Sequence, residues 1–370
     1  MPEAKKTLII LTPAFAEHEA DEWLPSQEHF VRAVKRNFPG LQLIIHSFLY
    51  PLDNPPEYQW FGNTVLAYRG AKKSKWLRPF LWQKIWKKLE AQVKEQEVIG
   101  IFSFFCSGCA LLGHYFAARH NITHRIWVLG QDARKENRHV RFIRPQAAEL
   151  VVISDFLQQQ FATAHGIRPA YNIPIGINPG LYSTEPCERD IDILGVGSLI
   201  PLKRYDLLLE IIKTAKEQFP GLRARHAGDG PLKEELQELA REYGLENNFS
   251  FEGKKPNRDI LRLMQRSKVF LHPSSYEGFV AVGLEALYAG AHVVSFCKPM
   301  NKDLPHWHVV RTKEEMIAKT LELLQDQALD HSPVLPYDIN DMARQIIGLF
   351  SQETLTAASI SEAIPAADKR

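Results

Sequence analysis

The sequence predicts an α/β protein of two domains, each a parallel sheet covered by helices, arranged around one cleft. Three observations support this. At 370 residues the chain exceeds the size that one hydrophobic core usually serves. Short β-rich runs alternate with helical stretches, the pattern of parallel strands joined by crossover helices. The alternation is interrupted at Pro174–Asp190 (PIGINPGLYSTEPCERD), where Pro, Gly and polar residues concentrate as in an interdomain hinge.

The elements follow in order. TLIILTPAF reads as the first strand, because its apolar run is short and lacks the small-residue cleavage site of a secretion signal. Next come a helix at Pro25–Asn37, strand LQLIIHSF, a helix at Pro79–Gln96, strand VIGIFSFF, a helix at Cys109–His120, strands RIWVLG and LVVIS, and a helix at Asp155–His165. Beyond the hinge the series resumes with IDILGVG, a helix at Arg204–Gln218, LRARHAG, a helix at Pro231–Tyr243, FSFEG and a helix at Asn257–Gln265. Strand KVFLHP, helix VAVGLEALYA and strand HVVSF close the second sheet. Tyr337–Ser351 reads as one more helix. The expected division is 1–178, 179–336, a C-terminal helix over 337–353 and a frayed Ala/Ser-rich tail over 354–370.

Composition narrows the function classes. A formal charge of +2 from 45 basic and 43 acidic residues carries no overall basic bias, which argues against a nucleic-acid binder. The most apolar stretch, Val98–Gly113, falls short of the ~20 apolar residues of a membrane helix. Four cysteines make no disulfide framework, so the cytoplasm is the default compartment. Cys106 and Cys109 form a C-x-x-C with no second pair to complete a zinc site, and their apolar flanks suit two small buried residues at a strand-to-helix turn.

Chemistry concentrates in the second half. Between Gly278 and Cys297, Glu285 is the only charged residue, and a carboxylate inside an apolar helix needs donors, either ligand hydroxyls or a neighbouring backbone or Arg. Glu277, Gly278, Phe279 and Val280 precede that helix, beyond the carboxyl end of a strand, where open α/β sheets bind ligands. Gly195-Val196-Gly197-Ser198 through Lys203-Arg204 is a strand end, a turn and a helix start. Ile200 breaks the dinucleotide G-x-G-x-x-G pattern, while Lys203 is placed to meet a diphosphate or solvent. Gly228-Asp229-Gly230-Pro231 is a third such turn, and three on one sheet edge make a site.

These residues resemble the retaining glycosyltransferases of the GT-B fold, glycosyltransferase family 4, firmly over Ile191–Phe296 and more weakly over Ile99–Asn178. The resemblance rests on Glu277 and Glu285 with seven residues between them, the apolar helix that follows Glu277, Gly228-Asp229-Gly230-Pro231, and Lys203 in its loop. It implies two Rossmann-like domains facing a central cleft, with the C-terminal helix crossing back to the first. It implies a nucleotide-diphospho-sugar as co-substrate, bound by the second domain with no resident metal, and transfer of the sugar to a glycan or glycolipid acceptor with retention of configuration. By the same resemblance Glu285 binds the donor ribose, Lys203 the diphosphate, and Glu277 with the amides of Phe279 and Val280 the sugar. Gly197, Ser198, Arg204, Gly228 and Gly278 belong to the same donor site, Gly253 and Lys254 lie near the base, and Pro13 and Ala14 lie on the acceptor side.

The sequence departs from the family pattern in three places. Ser198 stands where an Arg usually accompanies the Lys, and Arg204 is the expected substitute. Val280 replaces a Gly and is expected to narrow the sugar pocket. Phe102, Ser103 and Phe104 stand where many members place a His, leaving Asp132 and Arg134 either as substitutes on the acceptor side, with Asp132 catalytic beside Glu277 and Lys203, or as an ordinary turn. Asp190-Ile191-Asp192 has metal-binding D-x-D spacing but begins a strand, at the wrong sheet edge.

Arg69–Lys88 carries eight basic residues and no acidic one, among them Lys72, Lys73, Lys75 and Arg78, with Trp76, Leu77, Phe80 and Trp82 interleaved. That composition suits a peripheral contact with an anionic membrane. The helical spacing of Trp82, Ile85, Trp86, Leu89 and Val93 equally suits a core-facing stripe. Two alternatives stand beside an enzyme: a membrane-surface adaptor and a non-catalytic nucleotide-sugar-binding subunit.

Overall fold

A computed structural model describes residues 6–21, 24–74, 76, 78–298 and 300–350. Two compact units divide the chain: Met1–Ile153 with Gln158–Pro174 and Ile339–Arg370, and Ser154–Leu157 with Ile175–Asp338.

The first unit runs β1 (Lys6–Ala14), α1 (Pro25–Asn37), β2 (Gln42–Tyr50), β3 (Glu57–Trp60), β4 (Asn63–Ala67), α2 (Arg78–Glu95), β5 (Glu97–Phe104), α3 (Gly108–His120), β6 (His124–Val128), α4 (Arg138–Ile143), β7 (Leu150–Val152), α5 (Asp155–His165) and β8 (Tyr171–Asn172). Its sheet has the order β3-β4-β2-β1-β5-β6-β7-β8. Only β3 is antiparallel, paired to β4. Leu8, Ile9, Ile10 and Leu11 are wholly buried, as the continuous apolar run of a central parallel strand requires. Chain order reverses between β1 and β5, so Pro13 and Ala14, at the carboxyl end of β1, sit at the switch point.

The β3–β4 hairpin was not anticipated from the sequence. Its two-residue turn, Phe61-Gly62, has positive φ at both positions (45° and 70°), the type that matches strand twist. Trp60, fully buried, packs edge-on against Phe15 at 5.0 Å.

The second unit runs β9 (Ile191–Val196), α6 (Tyr205–Gln218), β10 (Ala224–Ala227), α7 (Lys233–Glu242), β11 (Phe249–Gly253), α8 (Asn257–Gln265), β12 (Ser267–His272), α9 (Ala281–Tyr288), β13 (His292–Ser295), β14 (Trp307–Val309) and α10 (Lys313–Gln325). The sheet is wholly parallel, in the order β11-β10-β9-β12-β13-β14. HVVSF therefore does not close it: β14 adds one more strand, whose three residues are too few to show a periodicity. Two apolar layers cover the faces, one built with α6 and α10 and the other with α8 and α9.

The chain then returns to the first unit. α11 (Ile339–Gly348) packs on α1. Asn37 donates to Asn340 at 2.8 Å, Arg125 Nη2 donates to the Leu349 carbonyl at 3.0 Å, and Phe350 meets Phe102 at 6.1 Å. The crossing back expected of the C-terminal helix is thus seen in these contacts. The tail 354–370 lies outside the described residues. Among the described residues no helix is long and apolar enough to cross a membrane.

Candidate functional site

In the second unit the strand order reverses between β9 and β12, and the loops at the carboxyl ends of those strands carry the charged residues singled out above. After β9 the chain turns through Gly197 and Ser198 into a 3₁₀ turn, Pro201–Lys203. The turn after β10 locks it in place. Leu199 N donates to Asp229 O at 3.0 Å, and Leu232 N to Leu199 O at 3.1 Å. Gly228 has φ 146°, and a Cβ there would stand 1.9 Å from the Gly197 carbonyl oxygen. Only glycine permits that approach. Gly228 N in turn donates to Gly253 O at 2.9 Å, which brings the end of β11, with the exposed Lys254 beside it, into the same row of loops.

The β12 loop closes on the β9 turn: Ser275 N donates to Leu202 O at 3.0 Å. This juxtaposition puts Lys203 Nζ in direct contact with Glu277 Oε1. Both side chains are largely buried, at 18% and 17% exposure. His272 Nε2 lies 3.3 Å from the same oxygen. The other ring nitrogen is 2.9 Å from Ser295 Oγ, which also accepts from Cys297 N at 3.0 Å. With its hydroxyl proton free, Ser295 can donate to Nδ1 and leave the Nε2 proton facing Glu277. Burial lowers the His272 pKa, although Glu277 opposes this. Burial would raise Glu277, but the adjacent His272 ring and the Lys203 charge outweigh it and hold the carboxyl down at about 2.

α9 begins immediately beyond. No side chain caps it at Val280; Gly283 N donates to the Val280 carbonyl at 3.1 Å, and the N–H groups of Ala281 and Val282 are left to a ligand or solvent. The Val280 side chain is 2% exposed and packs in the core layer with Leu284. It therefore does not narrow a pocket as expected: the helix turns this β-branched side chain inward and leaves the backbone at the site. Gly278 is buried and Phe279 half-buried.

Glu285, one turn along α9, is half-buried. Among the described residues its carboxylate has no hydrogen-bond or ion-pair partner, and burial alone raises its pKa to about 7. Its backbone carbonyl is taken by Tyr182 Oη at 3.1 Å. Of the two donors that the sequence left open, the neighbouring-residue alternative is therefore not what the structure contains.

Lys203, Glu277, Glu285, Gly197, Ser198, Gly228, Gly253, Lys254, Gly278, Phe279 and Val280 all occupy this one sheet edge. The Arg204 side chain is engaged elsewhere. Its backbone is left-handed at φ 52°, and its guanidinium lies 3.5 Å from Asp206. Asp190 and Asp192 begin β9, at the other edge, where they pair with Arg266 and with Lys268 (2.8 Å) respectively.

In the first unit, the Asp132 carboxylate is committed to its own turn. The residue is 8% exposed and accepts from Leu129 N at 3.0 Å, capping the 3₁₀ turn Gly130–Ala133. Burial raises its pKa to about 7. A cap formed three residues away on the same turn is a local bond that sequence spacing allowed. Arg134 is exposed, Pro13 and Ala14 are half-buried, and Phe102, Ser103 and Phe104 are wholly buried.

Of the basic segment, Lys72 and Lys73 are exposed, and Lys72 pairs with Asp53 at 2.6 Å. Lys75 and Leu77 lie outside the described residues, as does the side chain of Arg78. The buried stripe of α2 is Leu81, Ile85 and Leu89, with Trp82 and Trp86 packed beside it, whereas Trp76 is 88% and Phe80 68% exposed.

Two neighbours of the acidic loop carry no role in the sequence pattern. His272 reads there only as part of a strand, and Ser274 only as part of a loop. Ser274 is 1% exposed, and its hydroxyl has no partner among the described residues. A polar His-Pro-Ser-Ser run at the carboxyl end of an apolar strand was the signal available.

Residues 183–332 match the family described as glycosyl transferases group 1. Over 165 residues the chain is 28% identical to the phosphatidylinositol N-acetylglucosaminyltransferase gpi3 subunit of Schizosaccharomyces pombe, a stretch of 43% of this chain and 36% of that protein. Over 125 residues it is 30% identical to a human phosphatidylinositol N-acetylglucosaminyltransferase subunit, covering 33% and 26% of the two chains. The match thus spans about a third or less of these relatives' length. Among solved structures, Anabaena Alr3699/HepE in complex with UDP and glucose superposes with a TM-score of 0.69 at 16% identity, over 95% of this chain and 100% of that one. The fold is GT-B.

Proposed function

We propose, from the match of residues 183–332 to the glycosyl transferases group 1 family, that the chain is a glycosyltransferase that takes a sugar from a nucleotide-diphospho-sugar and passes it, with retention of configuration, to a glycan or lipid-borne acceptor. The observation that carries this reading is the convergence of Lys203, Glu277, the uncapped N-terminus of α9 and the unpartnered Glu285 carboxylate at one switch point.

Each group has a use in such a reaction. Glu285 accepts from the ribose hydroxyls, a demand that no protein donor among the described residues meets. Lys203 and the α9 N–H groups stabilise the charge that develops on the diphosphate as the glycosidic bond breaks. Glu277, kept ionised by Lys203 and oriented by His272, bonds the sugar hydroxyls. The acceptor is assigned to the first unit, at Pro13 and Ala14. Alr3699/HepE was solved with UDP and glucose, which supports the donor class. Calorimetric titration with uridine, guanosine and adenosine diphosphate sugars tests the donor assignment, and transfer to an added acceptor tests catalysis. Binding without transfer would leave a nucleotide-sugar-binding subunit.

The exposed Trp76 and Phe80 beside Lys72 and Lys73 favour a second feature, contact with an anionic membrane that presents a lipid-borne acceptor. Two relatives are named for phosphatidylinositol. Trp76→Ser with Phe80→Ser should abolish sedimentation with anionic vesicles at low salt and leave donor binding intact. Failure of the native chain to sediment rejects the membrane contact.

A further inference from the structure

At the sheet edge of the first unit opposite Pro13 and Ala14, three side chains from three elements converge. His114 lies on α3, His124 is the first residue of β6, and Glu149 ends the 3₁₀ turn that leads into β7. Glu149 Oε1 is 2.8 Å from His114 Nδ1 and 3.2 Å from His124 Nδ1, and the three residues offer one ligand atom each within 4.8 Å of one another. Zinc holds nitrogen and carboxylate ligands at ~2.0–2.2 Å in a tetrahedron, which sets ligand atoms about 3.3 Å apart. The His124–Glu149 separation is already close to that value, and the His114–Glu149 one is shorter by about 0.5 Å.

The surroundings orient these ligands as metal sites require. His124 Nε2 is 2.9 Å from Ser103 Oγ. A serine hydroxyl can donate or accept, so His124 can carry its proton on Nε2 and present the Nδ1 lone pair inward. A Cβ at Gly113 would stand 2.9 Å from both partners of that bond, so this position leaves room for it. Glu149 is steadied through its other oxygen, which accepts from Gln146 N at 2.8 Å. His124 is 2% exposed, Glu149 14% and His114 21%, an enclosed set with access past His114.

We propose that His114 Nδ1, His124 Nδ1 and Glu149 Oε1 bind Zn²⁺, with water as fourth ligand, and that the ion pins α3 to the starts of β6 and β7. All three residues belong to the first unit, and none takes part in the donor chemistry. The competing account is a purely hydrogen-bonded triad, in which both Nδ1–H groups donate to one carboxylate oxygen.

The test is titration of the metal-stripped full chain with ZnCl₂ against a chromophoric chelator, with thermal melting in parallel. One equivalent should bind at sub-micromolar Kd and raise Tm. His114→Gln and Glu149→Gln, at partly exposed positions and checked for folding by circular dichroism, should weaken binding by about a hundredfold or more and remove the rise in Tm. Ser103→Ala, which touches no metal, should weaken it about tenfold. Nucleotide-sugar affinity should not change in any of them. Absence of saturable binding, or binding at native strength in folded His114→Gln and Glu149→Gln, overturns the proposal in favour of the hydrogen-bonded triad.

Discussion

Replacing Glu285 with Gln separates its proposed ligand role from any structural one. The folded chain holds this carboxyl protonated up to about pH 7, against an ordinary value of 4.5. Between those two values the folded state binds one more proton than the unfolded state, so stability falls as pH rises through that window. It is fully present below pH 4.5 and lost above pH 7. Two and a half pH units at 1.36 kcal/mol each set the loss at about 3 kcal/mol. Glu285→Gln keeps the shape and cannot ionise. It should therefore match the native chain in urea denaturation at pH 4.5, exceed it by up to about 3 kcal/mol at pH 8, and lose measurable affinity for the nucleotide sugar in calorimetry. A carboxylate that serves the protein rather than a ligand would give the opposite result: lower stability at pH 8 with donor affinity unchanged. Either half of that outcome refutes the assignment.

Other changes bear on the same site. Lys203→Ala should weaken a nucleoside diphosphate by roughly ten- to a hundredfold, the worth of a charge-assisted bond of ~1.5–3 kcal/mol, and the bare nucleoside hardly at all. Comparable losses in paired titrations would remove the phosphate role. The same substitution strips Glu277 of a cation. A depressed carboxyl contributes stability above its unfolded pKa and loses it as pH falls toward about 2, so the acid-unfolding midpoint of Lys203→Ala should move to higher pH. Gly228→Ala places a methyl 1.9 Å from the Gly197 carbonyl oxygen and should cost about 3 kcal/mol, with donor binding lost as the two turns separate. A folded variant of native affinity would show that the turns are not held as described.

The α/β alternation was legible because its long members carry strong periodicity: α1, α5 and α8 begin and end where apolar spacing places them. Strand β14 and the short helix α4 were not, since three to six residues hold too little pattern. α10 was legible but unread. Thr312 Oγ1 accepts from Glu315 N at 3.2 Å, and Glu315 Oε2 from Arg311 N at 2.7 Å, the start signal spelled by Thr312-Lys313-Glu314-Glu315. At the site, types and spacing showed which residues share an edge. They could not show that Lys203 and Glu277 meet each other, that Val280 turns into the core, or that Asp132 caps its own turn. Those outcomes depend on side-chain direction, which spacing does not encode.

The return of α11 to α1 has a bearing on how the polypeptide is made. Residues 175–338 are contiguous and finish a whole sheet as soon as they leave the ribosome, whereas the unit that was begun first still lacks Ile339–Gly348 and the ring of Phe350 over Phe102. Its sheet must wait through the synthesis of the entire second unit with that apolar face uncovered, a period in which exposed hydrophobic surface invites misassembly. The earliest-translated half is in this way the last to be completed, and a nascent chain arrested before residue 339 would carry a finished second unit and an unfinished first one.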